Sequence, residues 1–169
     1  MDNIITTPAQ ENYVQAIYHL SQKGPVRPSA VAKTLGVKRA SVSKYIGTLV
    51  DRGLITHEPR GELILTESGL ELAKSILRRE RCLTSLLVDV CNMSVEDAEP
   101  EVHRLEHLIS DEVLLRLETL VEFACSSSGW LKRLHLRMAA EQERFGVHNP
   151  VKVGSTKVHQ GQRQEESAE

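Results

Sequence analysis

The chain has 169 residues, of which 40% are hydrophobic and 26% charged, enough to bury one compact core or two small units that share one. No basic segment precedes an apolar run near the N-terminus, and nowhere do about 18 uninterrupted apolar residues occur, so the expectation is an unexported, cytoplasmic protein with no membrane partner. The formal net charge of −2 conceals an asymmetry. Residues 23–60 carry Lys23, Arg27, Lys33, Lys38, Arg39, Lys44, Arg52 and Arg60 against Asp51 and Glu58, a local charge of +6 that leaves −8 for the rest. The basic part suits a polyanion, whereas the stretch from Glu96 to Glu122, relieved only by Arg104 and Arg116, attracts cations. Cys82, Cys91 and Cys125 are odd in number and form no C-x-x-C pair, the pattern of reduced thiols rather than of a disulfide scaffold or zinc knuckle.

Thr7-Pro8-Ala9-Gln10 predicts a helix start, with Thr7 as N-cap, Pro8 in the first turn and Gln10 closing a capping box. That helix runs to about Gln22, its apolar face formed by Tyr13, Ile17 and Leu20 with Ala16 and Tyr18 beside them. Pro28 to Leu35 predicts a short helix, Gly36 a permissive turn, and Arg39 to Asp51 a second amphipathic helix whose core side is Val42, Ile46, Leu49 and Val50. Leu54-Ile55-Thr56 and Leu63-Ile64-Leu65 are strand-like runs around Pro59-Arg60-Gly61 and predict a small hairpin, or wing. Thr66 caps a long helix through Leu70, Ala73, Ile76, Leu77, Leu83 and Leu86-Leu87 to about Val90, a length that in a small protein calls for a packing partner. Ser94 opens a helix to about Leu108, and Ser110 opens another carrying Val113, Leu114, Leu117, Leu120 and Val121. Ser126 to Gly129 is read as a loop, Trp130 to about Phe145 as a last helix, and residues 146–169 as a disordered polar tail.

The fold expected is therefore mainly α: a winged helix-turn-helix DNA-binding domain (1–70), then an all-helical dimerisation and metal-binding domain (71–145). A recognition helix presents its N-terminal residues to base edges while nearby cations and hydroxyls hold phosphates. Lys38, Arg39, Ser41, Ser43 and Lys44 occupy that end, and Arg60 at the wing tip reaches a flanking phosphate or the minor groove. A basic helix can also be a mere solvated face. The ordered series of helix, glycine turn, basic helix, hairpin and helix favours double-stranded DNA as partner.

His103, Glu106 and His107 stand at i, i+3 and i+4 and share one face of a helix. Two imidazoles and a carboxylate suit a first-row divalent transition metal, and Asn12, Gln15 and Glu80 are candidates to approach them. The same residues can form a hydrated surface cluster or a structural polar network. His103-Arg104-Leu105-Glu106-His107 also fits the H-x-x-E-H pattern of a metalloprotease with Glu106 as general base, although little of the chain remains to build a substrate cleft.

Glu11-Asn12-Tyr13, Ala40-Ser41-Val42-Ser43, Leu65-Thr66-Glu67-Ser68-Gly69, Arg104-Leu105-Glu106-His107 and Ser110-Asp111-Glu112-Val113 together make residues 5 to 140 resemble the diphtheria toxin repressor family of metal-dependent regulators, especially its short branch, the manganese transport regulators, which lack an SH3-like domain. The resemblance implies a homodimeric repressor of metal-homeostasis genes that binds a palindromic operator, with iron(II) or manganese as corepressor. It places a principal metal site on Asn12, His103, Glu106 and His107 and an adjoining one near Gln15, Glu80 and Glu99. His103 stands where the family has cysteine or glutamate, Asn12 where it has methionine or aspartate, and Gln15 where the manganese branch has glutamate. Fewer carboxylates and more imidazole lower the preference for hard manganese and open the site to iron, cobalt, nickel or zinc. A winged-helix regulator that answers no metal is the alternative from another class.

Overall fold

Thr7 accepts from the backbone N–H of Gln10 while the Gln10 side chain accepts from that of Thr7, and this reciprocal cap starts α1 (Pro8–Ser21). The computed structural model describes residues 6–57 and 61–146. α2 (Pro28–Leu35) ends at Gly36, whose φ of 65° is the left-handed conformation that lets the chain turn into α3 (Arg39–Asp51). The wing is β1 (Ile55–His57) paired antiparallel with β2 (Leu63–Leu65), Ile55 facing Leu65 and His57 facing Leu63. The Leu63 N–H donates to the carbonyl of Val26 at 2.8 Å, fastening the wing to the segment before α2. Val14, Ile17, Val31, Val42, Leu49, Leu54 and Leu63 meet in a single buried core, and Tyr13 stacks on Tyr45 with centroids 4.6 Å apart.

α4 (Glu67–Ser85) follows at once, capped by Thr66, which also donates from its hydroxyl to the Gly53 carbonyl. Its first turn is pressed against the wing: a Cβ on Gly69 would lie 2.0 Å from the Leu54 carbonyl oxygen, so only glycine permits this approach. α1 packs along α4, which brings the first helix of the winged unit onto the second half of the molecule. α4 continues as a π-helical segment, Leu86–Val90, then come α5 (Val95–Leu105), α6 (Asp111–Ser126) and α7 (Ser128–Phe145). Ser94 and Ser110 cap α5 and α6 through their hydroxyls. α7 is tied back by His135, whose Nε2 lies 3.1 Å from the carbonyl oxygens of both Asp89 and Val90 at the end of the π segment. Among the described residues no helix is long and apolar enough to cross a membrane.

Several expected details change. Val50 is 40% exposed, because Val42, Ile46 and Leu49, at i, i+4 and i+7, already complete the buried stripe. Leu70 is exposed as well, on the outer side of α4. The long helix does not stay α to Val90 but widens after Ser85. α5 stops at Leu105 rather than Leu108, so Glu106 is its C-cap and His107 follows it. The serine loop reduces to Ser127 alone, with α7 starting at Ser128. On α6, Leu114 is buried but Val113 and Leu120 face outward. The expected boundary at residue 70 falls in the first turn of α4. Gly146 caps α7 with φ 65°; Arg60 and the tail from residue 147 lie outside the described residues.

Candidate metal centre and nucleic-acid interface

At the end of α5 the backbone of Glu106 is still right-handed helical, with φ −57° and ψ −30°. The i, i+3, i+4 geometry therefore survives the end of the helix, and one donor atom from each of His103, Glu106 and His107 falls within 4.8 Å of the others. Glu106 is the anchor. It is only 1% exposed, and burial holds its carboxyl above the usual carboxylate range, with His107 and His103 pulling the other way. His103 Nδ1 is 3.0 Å and His107 Nε2 3.6 Å from Glu106 Oε1. α1 contributes Asn12, whose Oδ1 is 3.1 Å from His107 Nε2. Two imidazole nitrogens, a buried carboxylate and an amide oxygen thus converge, a donor set that fits a first-row divalent cation. Among the described residues no Lys or Arg is aimed into the cluster by a hydrogen bond or ion pair, which leaves room for a cation opposite the buried Glu106 carboxylate.

The residues expected at an adjoining site are brought to the same place. Gln15, Glu80 and Glu99 line one cleft of about 350 Å³ together with Thr84, His103 and Glu106. Gln15 Nε2 donates to Glu80 Oε2 at 3.0 Å, joining α1 to α4 across it. Sequence reasoning missed two participants. Glu11 on α1 lies 2.8 Å from His107 Nδ1 through Oε2, and Arg79 on α4 donates to the same oxygen at 3.4 Å. Glu11 adjoins Asn12 and precedes Gln15 by one helical turn, a signal that could have placed it on this face. Nothing local marks Arg79.

On the winged unit, Lys38 is the N-cap of α3, and Arg39, Ser41, Ser43 and Lys44 are all exposed along its first turns. Ser43 is not wholly free, since its hydroxyl donates back to the Arg39 carbonyl at 3.2 Å. α3 begins without a side-chain cap, which leaves first-turn N–H groups open to an anion such as a phosphate.

Comparison with known proteins bears on both halves. The family model for the iron dependent repressor N-terminal DNA binding domain matches residues 6–63, and that for the iron dependent repressor metal binding and dimerisation domain matches residues 66–127. The chain is 32% identical over 114 residues to an uncharacterised HTH-type transcriptional regulator of Methanocaldococcus jannaschii, covering 66% of this chain and 91% of that protein. It is 35% identical over 121 residues to the HTH-type transcriptional regulator MntR of Bacillus pumilus, covering 70% and 83%. The iron-dependent repressor IdeR of Mycobacterium tuberculosis is 33% identical over 119 residues, 69% of this chain and 50% of that one. Among solved structures, a manganese-dependent transcriptional repressor in complex with manganese aligns with TM-score 0.62 at 28% identity over 68% of this chain and 53% of its own. The manganese regulator SloR aligns with TM-score 0.62 at 27% identity, over 70% and 55%. The chain thus spans about half the length of IdeR and of the two solved regulators, but most of the archaeal regulator and MntR. All are regulators rather than enzymes, so the protease reading of His103 to His107 gains nothing from them.

Proposed function

The chain belongs to the iron-dependent repressor family of metal-dependent, DNA-binding transcriptional repressors, and from that premise we propose that it is a cytoplasmic homodimeric repressor of metal-homeostasis genes, with a divalent transition-metal cation as corepressor and a palindromic operator as target. The observation that carries this reading is that Asn12, on α1 of the winged unit, meets His107 at 3.1 Å beside His103 and Glu106 of the helical unit. His103, Glu106 and His107, with Asn12, would hold the cation, which when bound would supply positive charge opposite the buried Glu106 carboxylate. Gln15, Glu80 and Glu99 offer an adjoining position in the same cleft.

Asn12 and His107 then share one ligand between α1 and the end of α5, and this restrains the winged unit of residues 1–70 against the helical unit of residues 71–145. Two recognition helices must stand roughly 34 Å apart to read successive major grooves. A restraint that favours this spacing raises operator affinity by shifting the population of domain arrangements. Lys38, Arg39 and Lys44 supply phosphate contacts, and Ser41 and Ser43 face the base edges. Iron(II) and manganese are the first cations to try, with cobalt, nickel and zinc favoured by imidazole and amide donors. Calorimetric titration of each metal into the protein tests the site. His107→Ala should lower affinity at least 100-fold while leaving the helical circular dichroism unchanged; a variant that binds as tightly as the parent places the cation elsewhere.

A further inference from the structure

Behind the donor cluster stands a second layer of side chains that crosses from α1 to α4. Glu11 and Arg79 have side chains only 9% and 12% exposed. Arg79 donates from Nη2 to Glu11 Oε2 at 3.4 Å, and the Thr6 hydroxyl donates to Glu11 Oε1 at 2.7 Å. A guanidinium has no lone pair to offer, so the carboxylate is the acceptor. Its Oε2 is also 2.8 Å from His107 Nδ1, where an ionised carboxylate can only accept, so this contact calls for hydrogen on Nδ1. The other ring nitrogen, Nε2, faces Asn12 Oδ1 and Glu106 Oε1.

We propose that Glu11 is a positioning residue for the metal centre: seated by Arg79 and Thr6, it fixes His107 as the Nδ1–H tautomer and aims Nε2 into the donor cluster. This rests on reading that cluster as a cation site. A carboxylate behind a ligating imidazole orients the ring and raises its basicity, and loss of such a partner typically weakens metal affinity about 10–100-fold. Arg79 has a part that charge pairing alone would not need. Its buried Nε finds no acceptor among the described residues, so the guanidinium gives up solvation on one side in order to hold Glu11 on the other, a cost that a merely structural contact could avoid. Because Glu11 lies on α1 and His107 beyond α5, the same carboxylate also joins the winged unit to the helical one on the far side of the ring from Asn12.

The test combines two readouts. In wild-type protein held in chelator, long-range proton–nitrogen NMR of the His107 imidazole should show Nδ1 protonated and Nε2 bare, the less favoured form of a free neutral imidazole. In Glu11→Gln, whose side chain is nearly isosteric, that pattern should become mixed, and cobalt affinity measured by competition with a chromogenic chelator should fall about 10–100-fold. An Nε2–H tautomer in the wild type overturns the proposal without any variant, and so does Glu11→Gln with unchanged cobalt affinity. If wild-type protein binds none of manganese, iron(II), cobalt, nickel or zinc, the reading of the cluster as a cation site fails first, and the positioning role falls with it.

Discussion

Asn12 decides more than its neutral side chain suggests. It reaches the donor cluster from α1 on the side of His107 Nε2, and it brings an amide oxygen where a carboxylate would bring charge. Asn12→Asp should raise manganese affinity by about tenfold or more, and raise it more than zinc affinity, because a full negative charge rewards a hard cation while the two imidazoles already suit a softer one. Parallel titrations with the two metals measure this; equal gains for both would mean that charge, not donor type, sets the preference. The position of Asn12 beside a histidine pair could be inferred from spacing and resemblance. Glu11 could be placed on the same face, one turn before Gln15, but its role and that of Arg79 could not, since the contacts that give them meaning span 96 and 68 residues. They depend on how α1 lies along α4, which no local pattern encodes.

Helix starts were the most legible elements, because their chemistry lies within four residues. The Thr7 box, the Thr66, Ser94 and Ser110 caps and the Gly36 turn all stand where short-range rules place them. Helix ends and interior irregularities were less so. The widening at Leu86–Val90 is recorded by the backbone bond from Cys91 N–H to the Leu86 carbonyl, and an apolar run reads alike in α and π form. Two elements carry predictions. On α3, Lys44→Ala should reduce the slope of log affinity for duplex DNA against log salt by about 1, as expected for one lost phosphate contact; an unchanged slope would remove Lys44 from the interface. Between α4 and α6, Arg78 donates from Nε to Glu118 at 2.6 Å, and this hydrogen bond, with the attraction of the guanidinium, lowers the Glu118 carboxyl below its ordinary 4.5. A group lowered on folding stabilises the protein above its unfolded value and loses that contribution as pH falls through the folded one. Glu118→Gln should therefore remove a contribution that is present above about pH 4.5 and fades in the parent as pH falls below it, flattening the acid side of the stability profile. The pair is exposed, so the effect is small. Urea midpoints across that range measure it; parallel profiles for parent and variant would show that the pair contributes nothing.

For the molecule as a whole, the charge asymmetry found in the sequence has become a division of labour. The basic residues Lys38, Arg39 and Lys44 stand on one exposed helix, and the acidic stretch contributes Glu106 to a buried cluster that α1 closes from the other unit. Leu108, 78% exposed, together with Val95, Leu115 and Phe123, leaves apolar surface uncovered within residues 66–127, as expected of a unit that completes its core against a second copy. The fold class was legible from periodicity and capping, whereas this uncovered surface was not: Val113 and Leu120 of α6 follow the same spacing as buried Leu114, and sequence alone does not say which neighbour covers them. The mechanism proposed is that a cation bound between the two units controls DNA affinity. It is tested most directly by fluorescence anisotropy of the protein titrated onto DNA from upstream of its own gene, in chelator and with each of manganese, iron(II), cobalt, nickel and zinc. At least one metal should tighten binding tenfold or more, about 1.4 kcal/mol, and His107→Ala should remove the gain. Equal binding with and without chelator would contradict it, leaving a winged-helix DNA-binding protein whose histidine cluster is structural.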